Sequence, residues 1–409
     1  MKVLALNAGS NSLKFEVVAI EPGADDDFGT SLVSGSYDDI GKGSSGFARL
    51  EDKKPVEKRK LEVRDHRHAT ELLLAWLEKG EAKRFGVASL GEIDRIAHRI
   101  VHGGRTFDAP ARITDGVVKE IEKLEELAPL HNGPALTIVR EAAKQTGDRI
   151  PMFAVFDTVF HRTIPDEASR YALPVDVADR HGIRRYGFHG ISHRYLMLRH
   201  AKLAGVRPAD TRLVTMHLEG GSSMCAIRGG HSIDTSMGFT PLEGLVMGTR
   251  TGDLDPAVVT YLMRKEKLDA AGVEKLLNKE SGLLGVSGVS ADTRELARRL
   301  DEPRVRLAID IFAYRARKYV GAYLAALGGA TAIVVGGGIG ENGAFVRERI
   351  LAPFAWAGIE LDQAANEAMI DREGLITTKS SRLRVWVIPT QEGRMMARET
   401  ANVDAAARS

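Results

Sequence analysis

Two arginines stand beside glycine turns, Arg99 in HRIVHGG and Arg250 in GLVMGTRTGDLDP. A guanidinium fork binds carboxylate or phosphate through two parallel hydrogen bonds and stays charged at any working pH. A pair of them suits the charge that develops on a phosphoryl group in transfer, although either alone reads equally well as a salt-bridged surface arginine. Asp157 in VFDTVF and Glu392 in PTQEG fall at strand or turn ends. They suit a Mg²⁺ shell, because that ion keeps several waters and takes one or two protein carboxylates; a cap or turn is the commoner use of one such residue. His189, next to glycine in FHGISH, is placed to steady an oxyanion. His98 and His102 have the spacing of a helical metal pair, but their segment reads as strand and no third ligand stands near, which argues against zinc.

The glycines cluster. NAGSNS at 7–12 and HLEGGSS at 217–223 are Gly/Ser turns between apolar runs, and small residues let backbone N–H groups approach phosphate oxygens closely. One such turn usually only closes a hairpin, but here Asn7 and Gly220 stand 213 residues apart in a chain of 409, which suggests a duplication. A third cluster, GGGIGENG, holds G-x-G-x-x-G from Gly338 to Gly343 between a strand and a helix, with acidic Glu360 and Asp362 further on. That spacing admits a dinucleotide-binding dehydrogenase as an alternative, although the cluster lies near the end of the chain and opens no βαβαβ unit. The P-loop spacing G-x-x-x-x-G-K-[ST] does not occur.

The elements that must position these groups are legible from periodicity. VLAL and LKFEVVAI flank the first turn as a hairpin, and RLVTMHL with SMCAIR flanks the second. In EIDRIAHRIVHGG an alternation of two places Arg95, Ala97, Arg99 and Val101 on one strand face, with Ile96, His98, Ile100 and His102 on the other. PMFAVFDTVFH predicts a strand carrying Phe153, Val155 and Asp157 on one face. ATELLLAWLEKG, DGVVKEIEKLEEL, residues 134–145, 256–278 and 291–327, AFVRERIL and the C-terminal segment predict helices. Strands alternating with helices around a repeated hairpin predict an α/β protein.

Composition narrows the class. Lys plus Arg is 57 and Asp plus Glu is 55, so the formal charge of +2 gives no reason to expect nucleic acid or an acidic membrane as partner. The single cysteine, Cys225, excludes an intrachain disulfide. With no long apolar run and no secretory h-region, the chain reads as soluble and cytoplasmic, and its length predicts two or three domains.

Taken in order along the whole chain, NAGSNSLKF, HRIVHGG, LAPLHN, VFDTVFH, YGFHGISH, HLEGGSS, TPLEGLVMGTRTGDLDP, GVSGVSAD, GGGIGEN and IPTQEG resemble the acetate and butyrate kinase family of the sugar kinase, Hsp70 and actin superfamily. The resemblance implies duplicated actin-like ATPase domains of the ribonuclease H type flanking a nucleotide cleft. The N-terminal domain would take 1–158 plus about 394–409. The C-terminal domain, 159–393, would carry the adenosine site and a homodimer interface. The implied reaction makes acetyl phosphate and ADP from acetate and ATP, with Mg²⁺ or Mn²⁺, by direct in-line transfer. Asn7, Asp157 and Glu392 would surround the metal, and Ser10, Ser12 and Lys14 would form the first phosphate turn. His217, Gly220 and Gly221 would form the second. Arg99 and Arg250 would hold the acyl carboxylate and the phosphoryl group, with His189 on its oxygens and His131 assisting. Asp292, Thr293, Arg294 and Gly338, Ile339, Gly340, Glu341 and Asn342 would enclose the adenosine. Val101, Leu130, Phe188 and Pro241 would bound the acetate methyl, with Val101 on the strand face of Arg99. Glu219 stands where the family has glycine and Gly220 where it has asparagine. This departure leaves open a non-catalytic nucleotide-binding homologue, beside the alternatives of a propionate or butyrate kinase.

Overall fold

The computed structural model of the chain describes residues 1–23, 28–51, 53–128 and 131–403. They form two compact units. One comprises Met1–Val159 together with the chain from Gln391 onward, and the other is Phe160–Thr390.

In the first unit β1 (Lys2–Ala8), β2 (Leu13–Ala19), β3 (Thr30–Asp38), β4 (Gly46–Glu51), β5 (Lys54–Lys60), β6 (Arg95–Ile100), β7 (Ala111–Arg112) and β8 (Met152–Phe156) make one sheet, ordered β5-β4-β3-β2-β1-β6-β8-β7. β1, β6 and β8 run parallel and side by side. All five residues of β8 are buried, as expected for a continuous apolar strand covered on both faces. Leu4, Leu6, Ile96 and Ile100 pack into one core with Leu73 and Leu77 of helix His66–Glu78 and Leu136 of helix Asn132–Thr146. The first of these helices begins where the Asp65 carboxylate accepts the His68 amide at 2.7 Å, an N-cap that satisfies an otherwise orphaned donor.

The opposite face of the sheet carries helix Glu392–Ala401, which packs on β1, β2 and β6. Arg95 donates to the Thr400 carbonyl at 2.6 Å and Arg99 reaches Glu392 at 3.4 Å. The alternation in RIAHRI therefore sorts as expected, isoleucines to one core and arginines to the other face. Val101 does not share that face as a strand residue, because β6 ends at Ile100. The backbone bends there because the buried Asn132 side chain clasps both polar groups of His102, accepting from its N–H and donating to its C=O, each at 3.1 Å.

In the second unit β9 (Arg212–Leu218), β10 (Ser222–Arg228), β11 (His231–Thr235), β12 (Ala332–Gly336), β13 (Gly374–Leu375) and β14 (Arg384–Val387) are ordered β11-β10-β9-β12-β14-β13. β9, β12 and β14 run parallel, and the hairpins β9–β10 and β10–β11 are antiparallel. The series β11-β10-β9-β12-β14 thus repeats β3-β2-β1-β6-β8 in order and direction, which places the duplication in the pairing itself. The equivalence differs from the one expected, however. The hairpins close on Ala8↔Leu13 and Leu218↔Ser222, so Asn7 corresponds to His217 and not to Gly220.

Val214, Met216 and Leu218 pack on Val305, Phe312 and Val320 of helix Pro303–Leu327. The other face of β9 meets helix Gly190–Ala204. Two expected helices are each broken. Residues 256–278 form Pro256–Lys265 and Ala270–Lys279, because Lys267 takes φ 55° and the Asp269 carboxylate starts a new helix by accepting the Gly272 amide at 2.8 Å. Residues 291–327 form Thr293–Ala297 and Pro303–Leu327, since Pro303 has no N–H to continue a helix and suits the first position of one. Among the described residues no helix is long and apolar enough to cross a membrane.

Candidate active site

The carboxyl ends of the three adjacent parallel strands of the first unit gather Asn7 near the end of β1, Arg99 near the end of β6, and Asp157 directly after β8. Such ends are where ligands bind in open α/β sheets. Glu392 joins them as the first residue of its helix. Asp157 is buried and takes the Arg99 guanidinium fork to fork, Nη2 at 2.6 Å and Nε at 2.9 Å. The remaining nitrogen, Nη1, donates to Asn7 Oδ1 at 3.2 Å and to Glu392 Oε2 at 3.4 Å, and Asn7 Nδ2 donates to that same Glu392 oxygen at 3.3 Å. Arg99 is therefore not the open fork expected of it. Two carboxylates side by side require a cation between them, and here the guanidinium supplies it. In the adjoining turn the Gly9 amide donates to the Ser12 carbonyl at 2.8 Å. Ser10 is exposed and Ser12 half-buried, and Lys14 pairs across the hairpin with Asn7.

Arg250, in the second unit, is the opposite case. Its Nη1 rests on the Pro241 carbonyl at 3.2 Å and the Met247 sulfur at 3.8 Å, and among the described residues no carboxylate pairs with it. Burial lowers its pKa from the ordinary arginine value, so an incoming anion would find a cation whose desolvation is already in place. The loop that holds it turns on Gly252 (φ 70°), and Gly282 (φ 62°), which opens helix Gly282–Ser287, packs against it; a side chain at either would strike backbone atoms. Asp253 ties that loop down by accepting from the Gly244 amide, the Tyr319 hydroxyl and Arg315.

His189 heads helix Gly190–Ala204 in the left-handed region, φ 56°, unusual for a residue with a side chain. Its Nδ1 is 2.8 Å from Ser223 Oγ. A Cβ placed on Gly221 would lie 3.4 Å from His189 Nε2 and 3.6 Å from Arg250 Nη1. The absence of a side chain at Gly221 thus leaves a space on which an imidazole nitrogen and a guanidinium converge, a geometry suited to an oxyanion.

The Acetokinase family model matches residues 2–398 of the chain. A curated acetate kinase of Chloroherpeton thalassium is 45% identical over 98% of both chains. The chain belongs to the acetokinase family. Among solved structures, Porphyromonas gingivalis acetate kinase superposes with a TM-score of 0.87 at 40% identity, over 98% of both chains. A propionate kinase from Francisella tularensis also superposes at 0.87, with 34% identity over 97% of this chain and 98% of that one. The duplicated sheets are accordingly the two actin-like ATPase domains of that fold.

Membership in the acetokinase family implies ATP or ADP as substrate and a divalent metal. Asn7, Asp157 and Glu392 fit such a metal, since an amide oxygen and two carboxylates are the hard donors it prefers. Among the described residues no group of three or more His, Cys, Asp or Glu is placed to hold an ion. Any bound cation would therefore complete its shell with water and substrate oxygens.

The other family positions are distributed as follows. His131 stands at the N-cap position of helix Asn132–Thr146 without a side-chain capping bond. His217 is buried, with its ring 4.4 Å from that of His189, and Glu219 stands 3.5 Å from its Nε2. Asp292 caps Thr293–Ala297 and pairs with the exposed Arg294 at 2.7 Å, while Thr293 is buried. Gly338–Asn342 is a short helix rather than an open turn. Within it Ile339 is half-buried, Gly340 is buried against Val335, and Asn342 bridges to the Gly338 carbonyl and the Asp371 amide. Glu341 is buried, and its carboxylate accepts from the Thr390 amide and hydroxyl at 2.9 and 3.1 Å. Its side chain braces the turn, because a buried carboxylate must be hydrogen-bonded. Phe188 is buried and Pro241 half-buried in the second unit, and Val101 is buried in the first. Leu130 lies outside the described residues.

Ser223, His193 and Thr215, to which no sequence motif assigns a role, line up behind His189. The available signal was the polar residues Thr215 and His217 at alternate positions of an otherwise apolar strand, facing a helix that carries Ser192 and His193 one turn from His189.

Proposed function

We propose that this chain transfers the terminal phosphoryl group of ATP to acetate, reversibly and directly in line, with Mg²⁺ (or Mn²⁺) as its metal. The observation that carries the reading is Arg250, a half-buried arginine with no carboxylate partner among the described residues, converging with His189 on the space left open by Gly221.

Each residue's task follows from its setting. Arg250 binds the phosphoryl oxygens and meets their charge as it spreads in the transition state. His189 donates to one of those oxygens through Nε2. Asn7, Asp157 and Glu392 hold the cation, which neutralises phosphate charge when bound. Arg99 keeps those carboxylates apart and ordered, and exchanges part of its pairing for the acetate carboxylate. Ser10, Ser12 and Lys14 in one turn, and His217, Gly220 and Gly221 in the other, meet the nucleotide phosphates, with His131 assisting. Asp292, Thr293, Arg294 and the turn at 338–342 enclose adenosine. Val101, Phe188 and Pro241 supply apolar surface for the methyl group.

A second reading, propionate as acceptor, draws on the similarity to the Francisella propionate kinase. Trapping acyl phosphate with hydroxylamine from Mg-ATP and a panel of acetate, propionate and butyrate separates the two. The highest kcat/KM with acetate supports the first reading, and the highest with propionate supports the second. No hydroxamate from any acid refutes both and leaves the nucleotide-binding homologue. We also assign the chain to the cytoplasm as a homodimer through its second unit. Tyr261, Leu307 and Tyr314 there leave large apolar surface exposed, which suits burial against a second copy.

A further inference from the structure

The VFDTVFH segment ends on His161, a buried histidine of the second unit to which the reaction above gives no task. Its ring is held on both sides, Nδ1 2.8 Å from Ser232 Oγ and Nε2 3.0 Å from the Phe188 carbonyl oxygen. The contact to Ser232 is a hydrogen bond in either sense, but a carbonyl oxygen only accepts. Nε2 therefore carries a proton and donates it to Phe188, whether or not Nδ1 carries one too. The ring also lies directly under the backbone ahead of Phe188, since a Cβ on Gly187 would fall 2.7 Å from two of its carbons.

The Phe188 carbonyl shares a peptide plane with the His189 N–H. His189 takes φ 56°, a left-handed conformation that is unfavourable for a residue with a Cβ and persists only where the surroundings over-determine it. On one side the Tyr186 and Gly187 amides both donate to the Gly238 carbonyl, at 3.0 and 3.3 Å, and on the other the His189 carbonyl accepts the His193 amide at 2.9 Å as the helix begins. Relaxing φ to the ordinary right-handed value would swing the Phe188 carbonyl through roughly 120° and off His161 Nε2, so the bond from His161 opposes that relaxation directly. The left-handed turn aims the imidazole, with Nδ1 2.8 Å from Ser223 Oγ and Nε2 beside the space at Gly221.

We propose that His161 is a positioning residue for His189. By donating from Nε2 to the Phe188 carbonyl it locks the peptide that enters His189, keeps the left-handed backbone there, and so aims the His189 ring at the phosphoryl oxygens. It acts through His189 and not on the substrate. The inference rests on the role given to His189 above, but the hydrogen bond itself does not depend on that role.

Two-bond ¹H–¹⁵N correlation on the full chain at neutral pH reads the proton on His161 Nε2, with the His161 signals identified by their loss in His161→Gln. A protonated Nε2 is expected, and a bare one overturns the proposal. His161→Asn keeps a polar group near Ser232 but is too short to reach Phe188. It is expected to lower kcat about 10- to 100-fold, toward the ~10²-fold of losing one oxyanion donor outright. His161→Gln, whose amide nitrogen falls near the position of Nε2, is expected to recover most of that loss. In a His189→Ala background His161→Asn is expected to cost nothing further, because residues that act through one group are non-additive. Full kcat in His161→Asn, a His161→Gln as slow as His161→Asn, or the same loss in both backgrounds overturns the proposal. Where His161→Asn fails to fold, the wild-type spectrum and His161→Gln still decide. If wild-type protein makes no acyl phosphate, the functional reading fails while the spectrum still decides the bond by which His161 holds His189.

Discussion

Arg99 and Asp157 meet fork to fork at the ends of two adjacent parallel strands, with bonds of 2.6 and 2.9 Å, and the carboxylate is buried. The guanidinium there also reaches Asn7 and Glu392. One arginine thus organises every protein oxygen that we assign to the metal. Asp157→Asn keeps the shape but removes a charge, and we expect the Mg²⁺ concentration for half-maximal activity to rise about 10- to 100-fold, the range for groups that tune a metal site. A Mg²⁺ titration of the variant checks this, and an unchanged midpoint would remove Asp157 from the metal site.

Arg250→Ala deletes the arginine that has no carboxylate partner. We expect kcat to fall on the order of 10²- to 10³-fold, as for loss of an oxyanion donor. The thermal midpoint should hardly move, since no ion pair within the protein is broken. Steady-state kinetics and a melting curve on the same preparation separate the two effects.

Glu219 places a carboxylate at the tip of a turn assigned to nucleotide phosphates, 3.5 Å from His217. Its repulsion of a polyanion should be stronger at low salt. Glu219→Gly is expected to lower the KM for ATP several-fold, and more so at low ionic strength. A raised KM would mean that Glu219 helps to hold the nucleotide.

Asn132 is fully buried and its two hydrogen bonds fix the His102 backbone. Asn132→Ala leaves those groups unpartnered and should cost about 1–3 kcal/mol per buried group, read as a lowered denaturant midpoint.

His98 is buried in the first unit, its Nε2 lacks a partner among the described residues, and burial pushes its pKa down from 6.5 to about 3. His200 follows, pushed to about 4 by burial. Below about pH 6.5 the unfolded chain takes up protons that the folded one refuses. Stability is therefore full above that pH and falls as pH drops from 6.5 toward 3, by up to ~1.4 kcal/mol per pH unit for each group. His98→Leu should flatten this slope in unfolding experiments between pH 6.5 and 4.5.

The hairpins, the arginine strand and the glycine turns were legible in the sequence because each rests on a local period or a small-residue run. The occupation of Arg99 was not, because its partners Asp157 and Glu392 lie 58 and 293 residues away and nothing local shows which fork a carboxylate fills. Val101 was placed on the strand because the alternation continues through it, whereas the clasp that ends the strand comes from Asn132. The polar chain behind His189 is illegible in the sequence for the same reason. Thr215, His193 and Ser223 come from three separate elements, and only β9 pairing with β10 beside the helix brings their hydroxyls and rings together.

The most direct test of phosphoryl transfer follows wild-type protein with Mg-ATP and acetate by ³¹P NMR, with no trapping agent. The expected result is a growing acetyl phosphate resonance matched one to one by ADP, absent without acetate and abolished by excess EDTA. Loss of ATP to inorganic phosphate alone, or no loss at all, would contradict the assignment.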